Sequence, residues 1–194
     1  MSKLLIETRL FEGRVNEDSS GRTIVKGILQ RAGAPNQNER VYPKEILMRE
    51  AKKYETLIKE RRALGELDHP ESSVINLKNV SHNVREMHWD GDDLMGTVEI
   101  LPTPSGNILK ELLKAGILLG ISSRGMGSVE PRNNGGVTVG DDFELIGWDF
   151  VSNPSTHGAF MTPMNESKQY VTEEVCGDYC KAHDLIREII TELS

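Results

Sequence analysis

The sequence of 194 residues is 37% hydrophobic and 27% charged, and its formal net charge is −7. Such a composition is typical of a folded globular domain and excludes a largely disordered chain. The acidic balance argues against a protein that binds nucleic acid through its phosphates, because such a protein needs a basic surface.

The N-terminal segment contains an apolar run that Glu7 and Arg9 interrupt. Such a run is neither a signal peptide nor a membrane-spanning segment, so we expect no membrane association. The two cysteines, Cys176 and Cys180, do not suggest a disulfide framework, and a reducing cytoplasm is therefore the expected environment.

The first elements predicted along the chain are two strands and a helix. Apolar and polar residues alternate over residues 3–13 and 22–33, as they do in half-buried strands. A helix is predicted from Lys44 to Arg61, because apolar residues recur there at spacings of three and four. Pro43 suits the first turn of this helix.

A β-hairpin, a second helix and the last strands follow. The segments "NLKNVSHNVREMHWD" and "LMGTVEIL" alternate on either side of "GDD" and predict the hairpin. The second helix lies in "TPSGNILKELLKAG", with Thr103 or Ser105 as its N-cap and Gly116 at its end. The last strands are predicted in "ILLGISSRG" and "GVTVGDDFELIGWDFVSNP".

These elements predict an α+β domain built around a bent sheet or barrel. Residues 1–163 make up the predicted domain. Residues 164–194 predict a linker followed by a C-terminal helix, which carries an apolar stripe from Leu185 to Leu193.

The histidine of "GELDHP", His69, is the candidate general base. Histidine suits that role because imidazole titrates near neutral pH. A strand-like segment precedes His69, and Pro70 restricts the backbone after it, which would hold the imidazole at a strand end. The alternative is a surface turn residue without a chemical role.

The segment "GISSRGMGS" offers a nucleophile at the end of an apolar strand. Ser123, Arg124 and Gly125 form a Ser-x-Gly unit, and Ser122 is the competing serine. Because side chains alternate along a strand, only one of the two serines can face a site. The following backbone N–H groups could form an oxyanion hole. The alternative is a glycine-rich loop without chemistry.

An acid inside an apolar strand, Asp149, is the candidate third member of a triad. A buried carboxylate is unfavourable unless it is paired, so its position suggests a function. An outward-facing residue of an alternating strand is the competing interpretation, and His157 is a second candidate for the third member.

Two groups of residues raise the alternative of a metal site. His82 and His88 are an even number of positions apart on one predicted strand, so they would share a face. Cys176, Cys180 and His183 are close in sequence, but three ligands without a fourth are a poor zinc pattern. Solvated or structural side chains are the simpler interpretation, and neither a metal nor another cofactor is predicted.

Four segments in this order, "NERVYPKEIL", "GELDHP", "GISSRGMGS" and "WDFVSNPS", resemble the prohead core proteases of T-even-like tailed bacteriophages, relatives of the herpesvirus assemblins. The resemblance extends from roughly Leu4 to Pro163. It implies a serine endopeptidase on a bent antiparallel β-barrel surrounded by helices, with residues 1–163 as the protease domain.

The resemblance also implies roles for individual residues. The base would be His69, and the nucleophile would be Ser123, because assemblin-like enzymes place it in a Ser-x-Gly unit. The third member falls at Asp149, where the assemblins have a histidine. Backbone N–H groups around Arg124 and Gly125, together with the Arg124 side chain, would stabilise the oxyanion.

The substrates implied by the resemblance are the scaffold, core and major capsid proteins of the prohead, cut after glutamate in Leu- or Ile-x-Glu contexts. The protein would act inside the assembling prohead, in the host cytoplasm, and we expect a homo-oligomer. Arg124, Arg85 and Lys78 are the candidate cations for a glutamate pocket. The tripeptides "IRE" and "ITE" in the C-terminal helix predict that self-cleavage removes the tail.

Two other functions fit parts of the pattern. One is a non-catalytic capsid-core or scaffold component with the same fold, which would tolerate Ser123→Ala without any change in processing. The other is a metal-dependent hydrolase built on "ELDH" with His82 and His88, which would lose its activity to a chelator.

Overall fold

The computed structural model describes residues 3–11, 16–17, 21–70, 72–117, 119–133, 135–152 and 161–163. Within these ranges the chain forms strands β1 to β12 and helices α1 and α2. The elements in chain order are β1 (Lys3–Phe11), β2 (Asn16–Glu17), β3 (Thr23–Arg31), β4 (Arg40–Val41), α1 (Lys44–Lys59), β5 (Leu64–Glu66), β6 (Val80–Asp90), β7 (Asp93–Ile100), α2 (Pro104–Lys114), β8 (Leu119–Gly127), β9 (Val129–Pro131), β10 (Val137–Val139), β11 (Glu144–Val151) and β12 (Met161–Pro163).

The strands form three open sheets. Their strand orders are β1-β8-β11, β4-β10-β9 and β12-β3-β7-β6-β5, with β2 also paired to β3. An isolated parallel bridge between Leu67 and Phe150 joins the end of β5 to β11. The described strands thus form the predicted sheets, and no closed barrel is found among them.

The predicted helices and hairpin are confirmed. The Thr103 side chain accepts a hydrogen bond from Gly106 N at 3.0 Å and caps α2, and Gly116 follows that helix with a φ of 76°. A residue with a Cβ is strained in that left-handed conformation, which explains the glycine. Strands β6 and β7 pair antiparallel from His82–Ile100 to Asp90–Asp93, as expected. The C-terminal helix falls outside the described residues.

The main core lies where the two helices pack against the six-stranded sheet and the β1-β8-β11 sheet. Tyr54 of α1 packs edge-on against Trp148 of β11, with ring centroids 4.8 Å apart. This contact holds α1 against the strand that also carries Asp149. The buried members of the cluster are Val25, Leu29, Ala51, Tyr54, Ala63, Val84, Leu94, Val98, Ile100, Leu109, Leu113, Leu119, Ile121, Trp148 and Phe150. Neither helix in the described part of the chain is long and apolar enough to span a membrane.

The expectation that His82 and His88 share a face is wrong. A register irregularity between Val84 and Glu86 shifts the alternation of β6, so residues before and after it face opposite ways. His82 is fully buried, whereas His88 is exposed. This β-bulge removes the histidine pair on which the metal-hydrolase interpretation depended.

Both ring nitrogens of His82 have hydrogen-bond partners. Nε2 lies 2.9 Å from the Trp148 carbonyl oxygen, so it carries the proton and donates. Nδ1 lies 2.8 Å from the Ser81 hydroxyl and accepts from it. Burial lowers the pKa of His82 to about 4, and the imidazole is therefore neutral in the folded chain at pH 7.

We predict that His82 makes the protein sensitive to acid. Between the ordinary histidine pKa of 6.5 and about 4, the unfolded chain binds a proton that the folded chain does not, so stability falls as pH falls. The loss should approach about 1.4 kcal/mol per pH unit in this window. Urea unfolding of His82→Asn at pH 5 and pH 7.5 should show a weaker pH dependence than wild type.

The matched control for this prediction is His88→Asn, because His88 is exposed on the same strand. This variant should keep the acid dependence of the wild type. Equal slopes for all three proteins would show that His82 is not the group responsible.

Candidate active site

His69 lies just beyond the end of β5, where the chain turns toward β11. The backbone N–H of Asp68 donates to the Phe150 carbonyl at 2.7 Å, which fixes this turn against β11. Asp68 has a φ of 69°, in the left-handed region that aspartate tolerates better than most residues. Pro70 restricts His69 to extended backbone. The short segment from Asp68 to Pro70 therefore directs the imidazole toward the sheet that contains Asp149.

His69 and Asp149 are in contact. Nδ1 of His69 lies 3.0 Å from Oδ2 of Asp149, and the ring nitrogen donates to the carboxylate. Asp149 is fully buried, and the His69 side chain is 14% exposed. Nε2 of His69 is buried and has no hydrogen-bond partner among the described residues. The pair thus has the geometry of an acid that orients a histidine and leaves Nε2 for a reacting proton.

Asp149 has hydrogen-bond and ion-pair partners in addition to His69. Its Oδ1 accepts hydrogen bonds from the backbone N–H of Glu66 at 2.9 Å and from Nη2 of Arg124 at 3.2 Å. Nε of Arg124 also lies 2.9 Å from Oδ2 at ion-pair distance, although it is not aligned as a hydrogen bond. A carboxylate with these partners has a fixed orientation and a compensated charge, which explains why an acid is stable inside an apolar strand.

Arg124 is the centre of a buried ion cluster. Its Nη2 donates to Oε1 of Glu66 at 3.0 Å, and its Nη1 donates to the Ser72 carbonyl at 2.7 Å. Arg124, Glu66 and Asp149 are each fully buried. With both carboxylates ionised the three side chains carry a net charge of about −1. A protonated His69 imidazole would balance that charge.

The register of β8 against β11 separates the two serines. Ser122 lies opposite Asp149, and Ser123 lies opposite Trp148. Directly opposed residues of an antiparallel pair project to the same face of the sheet. Ser122 and Asp149 therefore share one face, while Ser123 projects to the other face with Trp148. The register does not favour the predicted nucleophile, Ser123, but favours its competitor, Ser122.

The packing of β8 agrees with this assignment of faces. Leu119 and Ile121, which alternate with Ser122 and share the face of Ser123, belong to the main core. A Cβ on Gly125, the next residue of that face, would lie 2.4 Å from the Phe143 ring. The Ser123 hydroxyl is buried and has no hydrogen-bond partner among the described residues. Ser123 thus lies on the face of β8 that contributes to the main core, although both serines are buried.

The packing of Arg124 argues against its two predicted roles. The guanidinium group is fully buried and bound to two carboxylates and a carbonyl, so it is not free for an oxyanion or for a substrate glutamate. Arg124 and Gly125 also lie within a strand that pairs with β1 on one side and β11 on the other. Backbone N–H groups of a strand that is paired on both sides donate to the neighbouring strands, which argues against the predicted oxyanion role of the Arg124 and Gly125 N–H groups.

The other predicted site residues lie elsewhere. Arg85 is paired with Glu99, and Lys78 is exposed. His157, Cys176, Cys180 and His183 fall outside the described residues. Over the ranges that the structure describes, no group of three or more histidine, cysteine or acidic side chains could hold a metal ion.

Glu66 is a site residue that sequence reasoning missed. It lies within the quoted motif "GELDHP", three residues before His69. An acid that ends a short buried strand was the available signal, and it is the same signal that identified Asp149. Only the folded chain shows that the partner of both acids is Arg124.

Comparison with known proteins agrees with the resemblance inferred from the motifs. Residues 3–169 match the family described as prohead core protein serine protease. The prohead core protein protease of Enterobacteria phage T4 is 33% identical over 153 residues, which are 77% of this chain and 72% of the relative. The chain therefore belongs to the prohead core protein serine protease family.

A solved structure gives the same result for the fold. The structure of the bacteriophage T4 capsid assembly protease matches with a TM-score of 0.71 at 31% identity. The match covers 77% of this chain and 98% of that protein. The open sheets and two helices described above thus have a counterpart in a protein named as a capsid assembly protease.

We predict that Arg124→Met strongly destabilises the fold. The substitution keeps an unbranched side chain but leaves Glu66 and Asp149 buried without their cation. The free energy of unfolding should fall by about 3–5 kcal/mol. Urea unfolding at pH 7.5 measures the change.

Arg49→Met provides the comparison. Arg49 is 35% exposed, and its buried partner Glu50 also pairs with Lys53 at 2.8 Å. This variant should lose about 1 kcal/mol or less. Similar losses for the two variants would contradict a special role for the Arg124 cluster in stability.

Proposed function

We propose that this chain is a serine endopeptidase that matures the phage prohead. The observation that carries the proposal is the 3.0 Å contact between His69 Nδ1 and Asp149 Oδ2. Membership of a prohead core serine protease family supports the same activity. We propose that the substrates are scaffold, core and capsid proteins, and that the reaction takes place inside the assembling prohead in the host cytoplasm. A homo-oligomer and a closer relation to the assemblin fold stay predictions.

We propose Ser122 as the nucleophile, with Ser123 as the alternative. Ser122 shares the face of Asp149, and opposed Cα atoms of an antiparallel pair are roughly 4.5–5.5 Å apart. The Ser-x-Gly unit of assemblin-like enzymes favours Ser123 instead. The register outweighs that pattern, because moving Ser123 to the other face would require a one-residue shift of β8 and would turn Leu119 and Ile121 out of the core.

The proposed reaction assigns one role to each of these residues. Ser122 Oγ attacks the scissile carbonyl carbon while His69 Nε2 takes the hydroxyl proton. The resulting imidazolium passes that proton to the leaving amine as the C–N bond breaks, which leaves an acyl-enzyme. Water then attacks the ester carbonyl while His69 takes its proton; the C–O bond to Ser122 Oγ breaks as His69 returns that proton to Oγ, and the carboxylic acid is released. Asp149 holds the tautomer of His69 that makes Nε2 the acceptor.

The buried ion cluster favours the charged intermediate. With both carboxylates ionised, Arg124, Glu66 and Asp149 carry a net charge of about −1 beside the histidine that accepts the proton. When His69 accepts the proton, the group of four becomes neutral overall. Charge develops on the imidazole where a fixed opposite charge already exists, and such preorganised electrostatics lower the barrier.

We further propose cleavage after glutamate in Leu- or Ile-x-Glu sequences. The chain itself contains several such tripeptides, and some of them lie within strands or helices, as two examples show. Leu5–Glu7 lies in β1, which pairs with β8 along its length. Leu109–Glu111 lies in α2, where Leu109 is fully buried. A protease binds its substrate as an extended free strand. We propose the two tripeptides of the C-terminal segment, Ile186–Glu188 and Ile190–Glu192, as the sites of self-cleavage.

The first prediction from this proposal concerns the nucleophile. Ser122→Ala should reduce cleavage of a Leu-x-Glu peptide by about 10⁴-fold or more, because the attacking oxygen is lost. Ser123→Ala should retain activity close to that of wild type, because its hydroxyl lies on the packed face. Mass spectrometry of the peptide products over time measures both rates, with circular dichroism to show that each variant is folded.

Other outcomes separate the remaining alternatives. If Ser123→Ala alone abolished cleavage, the reaction would stand and the nucleophile would be Ser123. If the wild type cut no Leu-x-Glu peptide and did not cut itself, the non-catalytic core component would be the better interpretation.

The second prediction concerns the tail. Wild type should lose residues beyond Glu188 or Glu192, and the double variant Glu188→Gln, Glu192→Gln should keep its full mass, because the recognised carboxylates are absent. Glu111→Gln is the control, since Leu109–Glu111 is protected within α2. Intact-mass measurement after incubation reads the result, and trimming of the double variant at the same positions would contradict glutamate recognition there.

A further inference from the structure

We propose that Glu66 is a positioning residue, which acts through Arg124 and through its own backbone to orient Asp149 toward His69. The inference rests on the proposed peptidase activity of the His69 site, but its geometric part can be measured separately. Glu66 itself does not contact a reacting atom: its partners are Arg124, Asp149 and a segment of the chain that follows His69.

Glu66 contacts Asp149 by two independent routes. Its backbone N–H donates directly to Asp149 Oδ1 at 2.9 Å. Its carboxylate binds Arg124 Nη2 at 3.0 Å, and the same nitrogen donates to Asp149 Oδ1 at 3.2 Å. One guanidinium nitrogen is thus shared between the two carboxylates. Removing the Glu66 charge would leave Arg124 with a single anionic partner and would free it to shift toward Asp149.

Such a shift would disturb the contact between Asp149 and His69. Arg124 Nε already lies 2.9 Å from Oδ2, the same oxygen that accepts from His69 Nδ1. Arg124 Nε and His69 Nδ1 therefore approach the same carboxylate oxygen, and the position of the guanidinium affects how that oxygen faces the histidine. Glu66 holds the guanidinium through Nη2, and this fixes the position of Arg124 beside Asp149.

The same pair anchors the segment that follows His69 and Pro70. Arg124 Nη1 donates to the Ser72 carbonyl at 2.7 Å, and Glu66 Oε1 accepts from Asn76 N at 2.9 Å. This segment is otherwise exposed, so these two buried groups are strong points of attachment. The histidine is thereby fixed on both sides, by β5 before it and by the anchored segment after it.

The test compares Glu66→Gln with Glu50→Gln in full-length protein. Both glutamates are buried, pair with cations and accept a hydrogen bond from a backbone N–H, which is Leu145 N for Glu50. Glu66→Gln should lower kcat for a Leu-x-Glu peptide by about 10-fold with KM nearly unchanged. The reason is that the substitution disturbs the orientation of the base His69 but removes no contact with the substrate. Glu50→Gln should leave both constants near wild type. Glu66→Ala should lower kcat further, with Gln as the partial rescue.

A second readout does not require activity. In ¹⁵N-histidine-labelled Ser122→Ala protein, the Nδ1 proton of His69 should give a downfield NMR signal from its hydrogen bond to Asp149. Adding Glu66→Gln should shift or broaden that signal, and adding Glu50→Gln should leave it in place. This measurement also serves if Glu66→Ala does not fold.

The outcomes distinguish the two proposals. An unchanged kcat together with an unchanged His69 signal in Glu66→Gln would overturn the positioning role. A wild type without peptidase activity would overturn the proposed function, and the His69 signal would still decide whether Glu66 orients Asp149. Equal effects of Glu66→Gln and Glu50→Gln on the signal would reduce the role of Glu66 to general stability and so overturn it as well.

Discussion

The burial of Arg124 between Glu66 and Asp149 is the interaction on which the rest of the site depends. It joins β5, which belongs to one sheet, to β8 and β11, which pair in another sheet. Between the end of β5 and β11, the described backbone forms the Leu67–Phe150 bridge. Burying three charges is unfavourable unless every partner is in place, so the cluster requires one relative position of these strands. That position is also the one that brings His69 to Asp149.

The two faces of the central strand β8 have different surroundings. One face carries Ser122 and Arg124 toward the ion cluster, and the other carries Ile121 and Ser123 toward the core. The core beneath remains uncharged: burial, with the Asp149 charge as a second cause, raises the pKa of Tyr54 above its ordinary value. A rigid, neutral layer under the sheet keeps the charged face from relaxing, which is what a preorganised site requires.

Local patterns predicted the parts of this protein that depend on neighbours in sequence. Helices α1 and α2, the β6–β7 hairpin and the Thr103 and Gly116 caps follow from periodicity and capping chemistry, which act over a few residues. The positions of His69 and Asp149 followed from their motifs. Local patterns did not predict the strand register. The expectation that His82 and His88 share a face was wrong because of the bulge in β6, and the β8–β11 pairing places Ser122 opposite Asp149.

The sequence by itself determined the family, the two helices and the main strands, and it predicted the histidine and the acid of the candidate site, because these are expressed in short motifs and local periodicity. Only the tertiary structure decided that the described sheets stay open, that Arg124 serves two carboxylates and not a substrate, and which serine shares the face of Asp149. The physical reason is that strand register and the pairing of buried charges are set between residues far apart in sequence, 25 positions for Arg124–Asp149 and 58 for Glu66–Arg124, and no local pattern encodes such a pairing.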